Sequence, residues 1–212
     1  MMRNNLYPVA KGGFRYIFVA VILFFIFHFF SFHFLEFFSF LAILFFIYIF
    51  RNPERMAQNY EPKSVASPAD GTVISIEEIE EEGYKYKVTI DSSYLDVSLL
   101  RAPMSATFTL VKTQKGTRLS QKYSTLAAKL NSSISIVFKN ITGNKIKVLH
   151  TLKQSFEEIS LDAQESQSLL QGARYGSMVY GTTTLYLPEN FRLNIQVGSQ
   201  VAASDTLIGY FS

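Results

Sequence analysis

The 212-residue chain contains no cysteine, which excludes disulfides, thiolate metal sites and cysteine nucleophiles and is compatible with either side of a membrane. Histidine is scarce as well. Of the three present, His28 and His33 lie inside a long apolar stretch, leaving His150 alone in the remainder. This argues against a histidine-based metal centre in the polar part of the chain. The formal net charge is only +3. Three basic residues, Arg3, Lys11 and Arg15, precede the apolar stretch, so the rest is near neutral and nucleic acid is not an expected partner. No small-residue cleavage site follows the long apolar run, which argues against a cleavable signal peptide.

What the chain has instead is a Phe-rich apolar stretch from about residue 16 to residue 50. From 16 to 35, about 20 residues, only His28, Ser31 and His33 interrupt it, the length one helix needs to cross a bilayer. After Glu36, about 14 more apolar residues follow, too many for one continuous helix. A hairpin bent near 31 to 36 fits better, as two complete crossings or as a re-entrant or interfacial element. Lys11 and Arg15 before it, and Arg51 and Arg55 after it, place both ends on the cytoplasmic side of the inner membrane. Glu36, His28 and His33 are read either as functional intramembrane groups or as the polar bend.

The expected organisation is an N-terminal tail (1–13), a membrane hairpin (14–50), a linker (51–66) containing Pro53 and Pro62, and one β-rich domain (67–212). Period-two alternation predicts strands at 72–77 and 84–91, joined by an acidic turn over 77–82 that reads as solvated surface. Further short strands are expected at 94–100, 108–112, 133–138, 145–152, 177–180, 184–187 and 207–211. A helix over 155–170 rests on Phe156, Ile159, Ala163 and Leu169 falling loosely on one face. The fold class is mostly β, a small barrel or sandwich behind an N-terminal α-helical membrane hairpin. Two pieces, 67–73 and 197–207, look alike in style, with turn residues between valines. They also resemble biotinyl and lipoyl carriers, but no lysine-bearing hairpin tip is present.

A family resemblance runs in order along nearly the whole chain. The apolar double segment leads into Ile49-Phe50-Arg51-Asn52-Pro53-Glu54-Arg55, and Ser67-Pro68-Ala69-Asp70-Gly71 follows. Asp96-Val97-Ser98-Leu99-Leu100-Arg101-Ala102-Pro103 is similar to Asp-Val-His-Val-Asn-Arg-Ala-Pro, and Gly172-Ala173-Arg174-Tyr175-Gly176 to Gly-Glu-Arg-Phe-Gly. Tyr180-Gly181-Thr182 with Leu185-Tyr186-Leu187-Pro188 is similar to Phe-Gly-Ser-Arg-Val-Asp-Val-Tyr-Leu-Pro. Together these resemble the short bacterial and archaeal phosphatidylserine decarboxylases.

The resemblance implies a proenzyme in which a serine hydroxyl attacks the preceding glycine carbonyl. The chain then breaks, and the new N-terminus becomes a self-generated pyruvoyl group that takes up the amine of phosphatidylserine. A histidine oriented by an aspartate activates the serine. Carried over by position, Asp70 matches the aspartate, Ser98 stands where the histidine belongs, and Gly181-Thr182 stands where the Gly-Ser pair belongs. Gly176-Ser177 is a displaced alternative cleavage pair, and His150 is the remaining candidate base. Cleavage before Thr182 would give a 2-oxobutanoyl group. The implied partners are a membrane phospholipid and the bilayer, and a homo-oligomer stays open. Two functions follow: a decarboxylase making phosphatidylethanolamine, or a catalytically inactive membrane-anchored relative that binds a lipid headgroup or a protein.

Overall fold

The computed structural model describes residues 7–55, 63–81, 83–120 and 124–212, which form two compact units divided between Glu54 and Arg55. Arg3 of the basic flank, Pro62 of the linker and Glu82 of the acidic turn lie outside the described residues.

The first unit is a helical hairpin of α1 (Gly13–Phe29) and α2 (His33–Ile49), 17 residues each. The bend is at residues 30–32, where Ser31 adopts φ of 58°. There the N–H groups of Phe30, Ser31 and Phe32 donate to the carbonyls of Ile26, His28 and Phe27, satisfying acceptors that a helix end leaves open. Glu36 sits one turn into α2, 2.9 Å from His28 Nδ1 and 3.3 Å from His33 Nδ1. At the open end, Ala10 N–H donates to Phe50 O (2.7 Å) and Asn52 N–H to Pro8 O (2.8 Å). Gly13 is required there, since a Cβ would fall 2.5 Å from that of Phe50. At 1.5 Å per residue each helix is about 26 Å long, against about 30 Å of hydrocarbon. No helix among the described residues is long and apolar enough to cross a membrane. The crossing helix expected over 16–35 is cut short at Phe29, because the chain turns there.

The second unit is mostly β. Its main sheet curls as a half-barrel, with strand order β13-β2-β3-β11-β7-β6-β5-β9. These strands are β2 (Gly71–Glu81), β3 (Tyr84–Ser92), β5 (Ala106–Gln114), β6 (Ser133–Lys139), β7 (Lys145–Leu152), β9 (Ser168–Leu169), β11 (Gly181–Leu187) and β13 (Gln200–Val201). A second sheet joins β1 (Ser64–Ala66), β14 (Leu207–Phe211) and β12 (Phe191–Leu193), and a third joins β4 (Leu99–Arg101), β10 (Arg174–Ser177) and β8 (Ser160–Leu161). Strand β1 occupies positions read from the sequence as the end of a linker.

Alternation drives the packing. Ile146, Val148, His150 and Leu152 of β7 point to the core, as do Thr183, Leu185 and Leu187 of β11 and Val88 and Ile90 of β3. Strand register then lines them up in rows, Val88–Leu185–Val148 and Ile90–Thr183–His150. The helix expected over 155–170 does not form. Its main-chain groups bond other elements instead: Asp162 N–H donates to Tyr175 O (2.8 Å) and Ser166 N–H to Phe108 O (2.9 Å). Its apolar residues serve separate sheets, Leu161 in β8 and Leu169 in β9, so the loose spacing was not the face of a helix. The strand expected over 94–100 is a turn, with Ser93 N–H and Oγ donating to the Asp96 carboxylate, and only β4 follows it. A short helix unforeseen from the sequence, α3 (Ser124–Leu130), precedes β6.

The two pieces alike in sequence lie against each other. Gln200 and Val201 of β13 pair with Thr72 and Gly71, and Ser67 N–H donates to Thr206 O (2.8 Å). Because Leu185 is fully buried in the central row, Leu185→Ala should destabilise the domain by about 2–5 kcal/mol, read as a lower urea midpoint at unchanged slope.

Candidate functional site

Asp70 ends the turn before β2. Gly71 takes φ of +152°, and a Cβ there would collide with the Asp91 carbonyl, so only glycine lets the turn enter the sheet so close to β3. Ser92 Oγ donates to the Asp70 carbonyl (2.6 Å), and Ser92 is paired with Gly181 across β3 and β11. The fold thus brings Asp70 and the Gly181-Thr182 pair to one end of the main sheet.

The Asp70 carboxylate is already engaged. Arg55 donates to it through Nη1 (2.5 Å) and Nη2 (2.7 Å), and Ala203 N–H adds a third bond at 2.8 Å. Arg55 also donates to Ala203 O (2.9 Å) and has Nε 3.4 Å from Asp205. Its pKa is raised, chiefly by the Asp70 hydrogen bonds. A fork with two parallel bonds is the strongest arrangement a guanidinium makes with a carboxylate. Sequence reasoning had Arg55 only as part of the exit from the apolar stretch.

His150 is fully buried. Thr183 Oγ1 lies 2.9 Å from its Nδ1 and Tyr175 Oη 2.7 Å from its Nε2. A neutral imidazole has one donor and one acceptor nitrogen, so one hydroxyl donates to the ring and the other accepts from it. Burial pushes the His150 pKa down to about 3 and raises that of Tyr175. Thr182, by contrast, is paired with Asp91 and Thr151 on the opposite face of β11. The strand's period of two keeps the Thr182 hydroxyl and the His150 ring on different sides of the sheet. Thr183 and Tyr175 were not foreseen, since a Thr-Thr-Thr run gives no sign of which hydroxyl faces inward until the register is known.

Ser98 is buried, and among the described residues its hydroxyl has no hydrogen-bond partner. Its carbonyl accepts from Met178 N–H (2.7 Å) and its neighbour Leu99 pairs with Ser177, so Ser98 adjoins the displaced Gly176-Ser177 pair. A further group caps the Gly181 end. Lys153 Nζ donates to Asp91 Oδ1 (2.5 Å) and lies 4.1 Å from the centre of the Tyr180 ring. Tyr94 stacks on that ring at 4.6 Å.

Residues 42–209 match the sequence model of the phosphatidylserine decarboxylase family. The chain belongs to that family. It is similar to the phosphatidylserine decarboxylase proenzyme of Desulfotalea psychrophila, 30% identical over 207 residues, covering 95% of this chain and 96% of the relative. The proenzymes of Geobacter sulfurreducens (29% over 217 residues) and Geotalea daltonii (28% over 212) each align over 98% of this chain and 99% of the relative.

Within a phosphatidylserine decarboxylase fold, a pyruvoyl group requires a serine after a glycine and a base that reaches its hydroxyl. The residues here do not fit that requirement. Gly181 is followed by threonine. Gly176-Ser177 has the right residue types but is clamped between β4 and β8, where a Cβ on Gly176 would strike the Ser160 carbonyl. Neither hydroxyl has a histidine partner: both His150 nitrogens are bonded elsewhere, and His28 and His33 bond Glu36. Among the described residues no cluster of histidine, cysteine, aspartate or glutamate has the makings of a metal site.

Two outcomes follow. His150 takes up protons in the unfolded chain near its ordinary pKa of 6.5, but in the folded protein only near 3. Its contribution to stability is therefore complete above about pH 6.5 and lost progressively as pH falls toward 3. Urea titrations across that range should show this acid slope reduced in His150→Gln. Asp70→Ala leaves the Arg55 guanidinium without its main partner and should cost about 3 kcal/mol, measured the same way.

Proposed function

We propose that this chain is a non-processing member of the phosphatidylserine decarboxylase family, held at a membrane, that binds phospholipid without decarboxylating it. The observation that carries this reading is the placement of His150. The sole histidine of the second unit is shut between Thr183 and Tyr175, on the face of β11 opposite Thr182. The Arg55 fork on Asp70 supports it, because a carboxylate so occupied is not orienting an imidazole. Losing one member of such a catalytic set costs orders of magnitude in rate, and here both the base and the nucleophile differ.

Membrane attachment is supported by the surface of the hairpin, where Phe18, Phe25, Phe29 and Phe34 are each more than 60% exposed. Contiguous apolar exposure of this kind marks an interaction surface. With helices of about 26 Å, a re-entrant or interfacial hairpin entering from the cytoplasmic side fits better than two crossings. Lys11, Arg15 and Arg51 at its open end agree with that side.

A second reading is a decarboxylase cut between Gly181 and Thr182. It is favoured by Gly181 itself, whose Cβ position lies 2.5 Å from Thr151 O and 2.6 Å from Met178 Sδ, so a glycine is demanded where the family is cut.

The mass of the purified full chain decides between them. An intact 24.1 kDa species, with no conversion of phosphatidylserine in vesicles, is expected. A C-terminal fragment beginning at residue 182 or 177 overturns the non-processing reading and identifies the cut bond. The full chain should also float with phospholipid vesicles in a density gradient; remaining at the bottom overturns membrane attachment.

A further inference from the structure

We infer that the cleft between α1 and α2 is a binding site for one acyl chain of a phospholipid whose headgroup is anionic. This rests on the membrane placement proposed above. The cleft arises from side-chain size. Ala20 and Ser39, both buried, let the two helices approach, and Ala42 leaves a gap in a hairpin otherwise crowded with phenylalanine. Val19 and Leu23 from α1 and Phe46 from α2 form the walls of this open cleft of about 400 Å³, a size typical of small-ligand sites. An apolar cleft offers water no hydrogen-bond partners. Hydrocarbon is the occupant its chemistry accepts.

The charge at one end selects the headgroup. Arg15 and Tyr16 line that end through their apolar atoms; Arg15 Nη2 donates to Tyr16 Oη (3.0 Å), and the guanidinium lies 4.8 Å from the ring centre. Stacked and hydrogen-bonded, it is a pre-ordered cation that stays charged at any working pH. Lys11 and Arg51 belong to the same open end, where Arg51 bridges Val9. Among the described residues of this unit, Glu54 stands against these, while Glu36 is a helix length away near the bend. A basic rim on an apolar slot about 12 Å long, from Arg15 to Leu23 at 1.5 Å per residue, matches a phosphate-bearing headgroup with its acyl chain running toward the bend. Each basic residue near a lipid surface adds about 1 kcal/mol toward anionic lipid.

The test is native mass spectrometry of the full chain released from detergent micelles carrying phosphatidylglycerol or phosphatidylcholine. One retained lipid per chain is expected, with phosphatidylglycerol preferred about fivefold. Arg15→Gln should reduce that preference to near parity. Ala42→Phe, which fills the slot, should lose the retained lipid while keeping its helical circular dichroism and its flotation with vesicles. Equal retention by the wild type and both variants overturns the site, as does a lipid-free dimer with a second copy in the cleft. Should Ala42→Phe also stop floating, the Arg15→Gln arm decides: an undiminished preference for phosphatidylglycerol overturns the inference. A wild-type chain that floats but retains no lipid defeats only the cleft, whereas one that does not float defeats the membrane placement beneath it.

Discussion

Strand β11 is bonded on both edges, to β3 along one side and β7 along the other, and a strand so held cannot rotate about its axis. The two-residue alternation is then imposed without slack. Thr183 must face the core and Thr182 must face away. The surroundings of His150 follow from that constraint. The histidine on β7 meets Thr183 because the two are register partners, and Tyr175 of β10 closes the other side of the ring. The result is a buried polar network in which both ring nitrogens have partners. Such a network specifies a unique packing.

The same logic applies to the carboxylate at the sheet's end. A buried Asp needs partners, and in the absence of a nearby imidazole Asp70 obtains them from Arg55 and the Ala203 amide. The pairing joins the beginning of the unit, its first turn and its last strands in one cluster. The aspartate therefore ties these three segments together. The buried Ser98 hydroxyl is the counterpart, left without a hydrogen bond among the described residues. Lys153 places its ammonium on Asp91 and over the Tyr180 ring, next to Gly181.

The hairpin obeys a different balance. In the second unit apolar residues alternate and are hidden, whereas both helices of the hairpin are apolar around most of their circumference and leave large phenylalanines exposed. In water such a surface is costly at about 25 cal/mol per Å²; in hydrocarbon it is not. Small residues along the helix contact and cations at the open end are the two departures from that uniformity.

Much of the architecture was legible in the sequence. The apolar stretch with a bend, the mostly β character and the strands with clean alternation, such as 84–91 and 145–152, follow from periodicity alone, because a half-buried strand must alternate. Family membership followed from motifs in order. Short edge strands such as β8 and β9 were not legible, since two residues carry no period and are held by their neighbours' main chains. Nor was the loose apolar spacing over 155–170 separable from a helix. For the site, the sequence alone determined that histidine and serine were missing from their expected places. Only the tertiary structure decided that His150 faces the core between Thr183 and Tyr175, on the side of β11 opposite Thr182, because which face of a sheet a side chain occupies depends on strand register, and register is a property of the packed core.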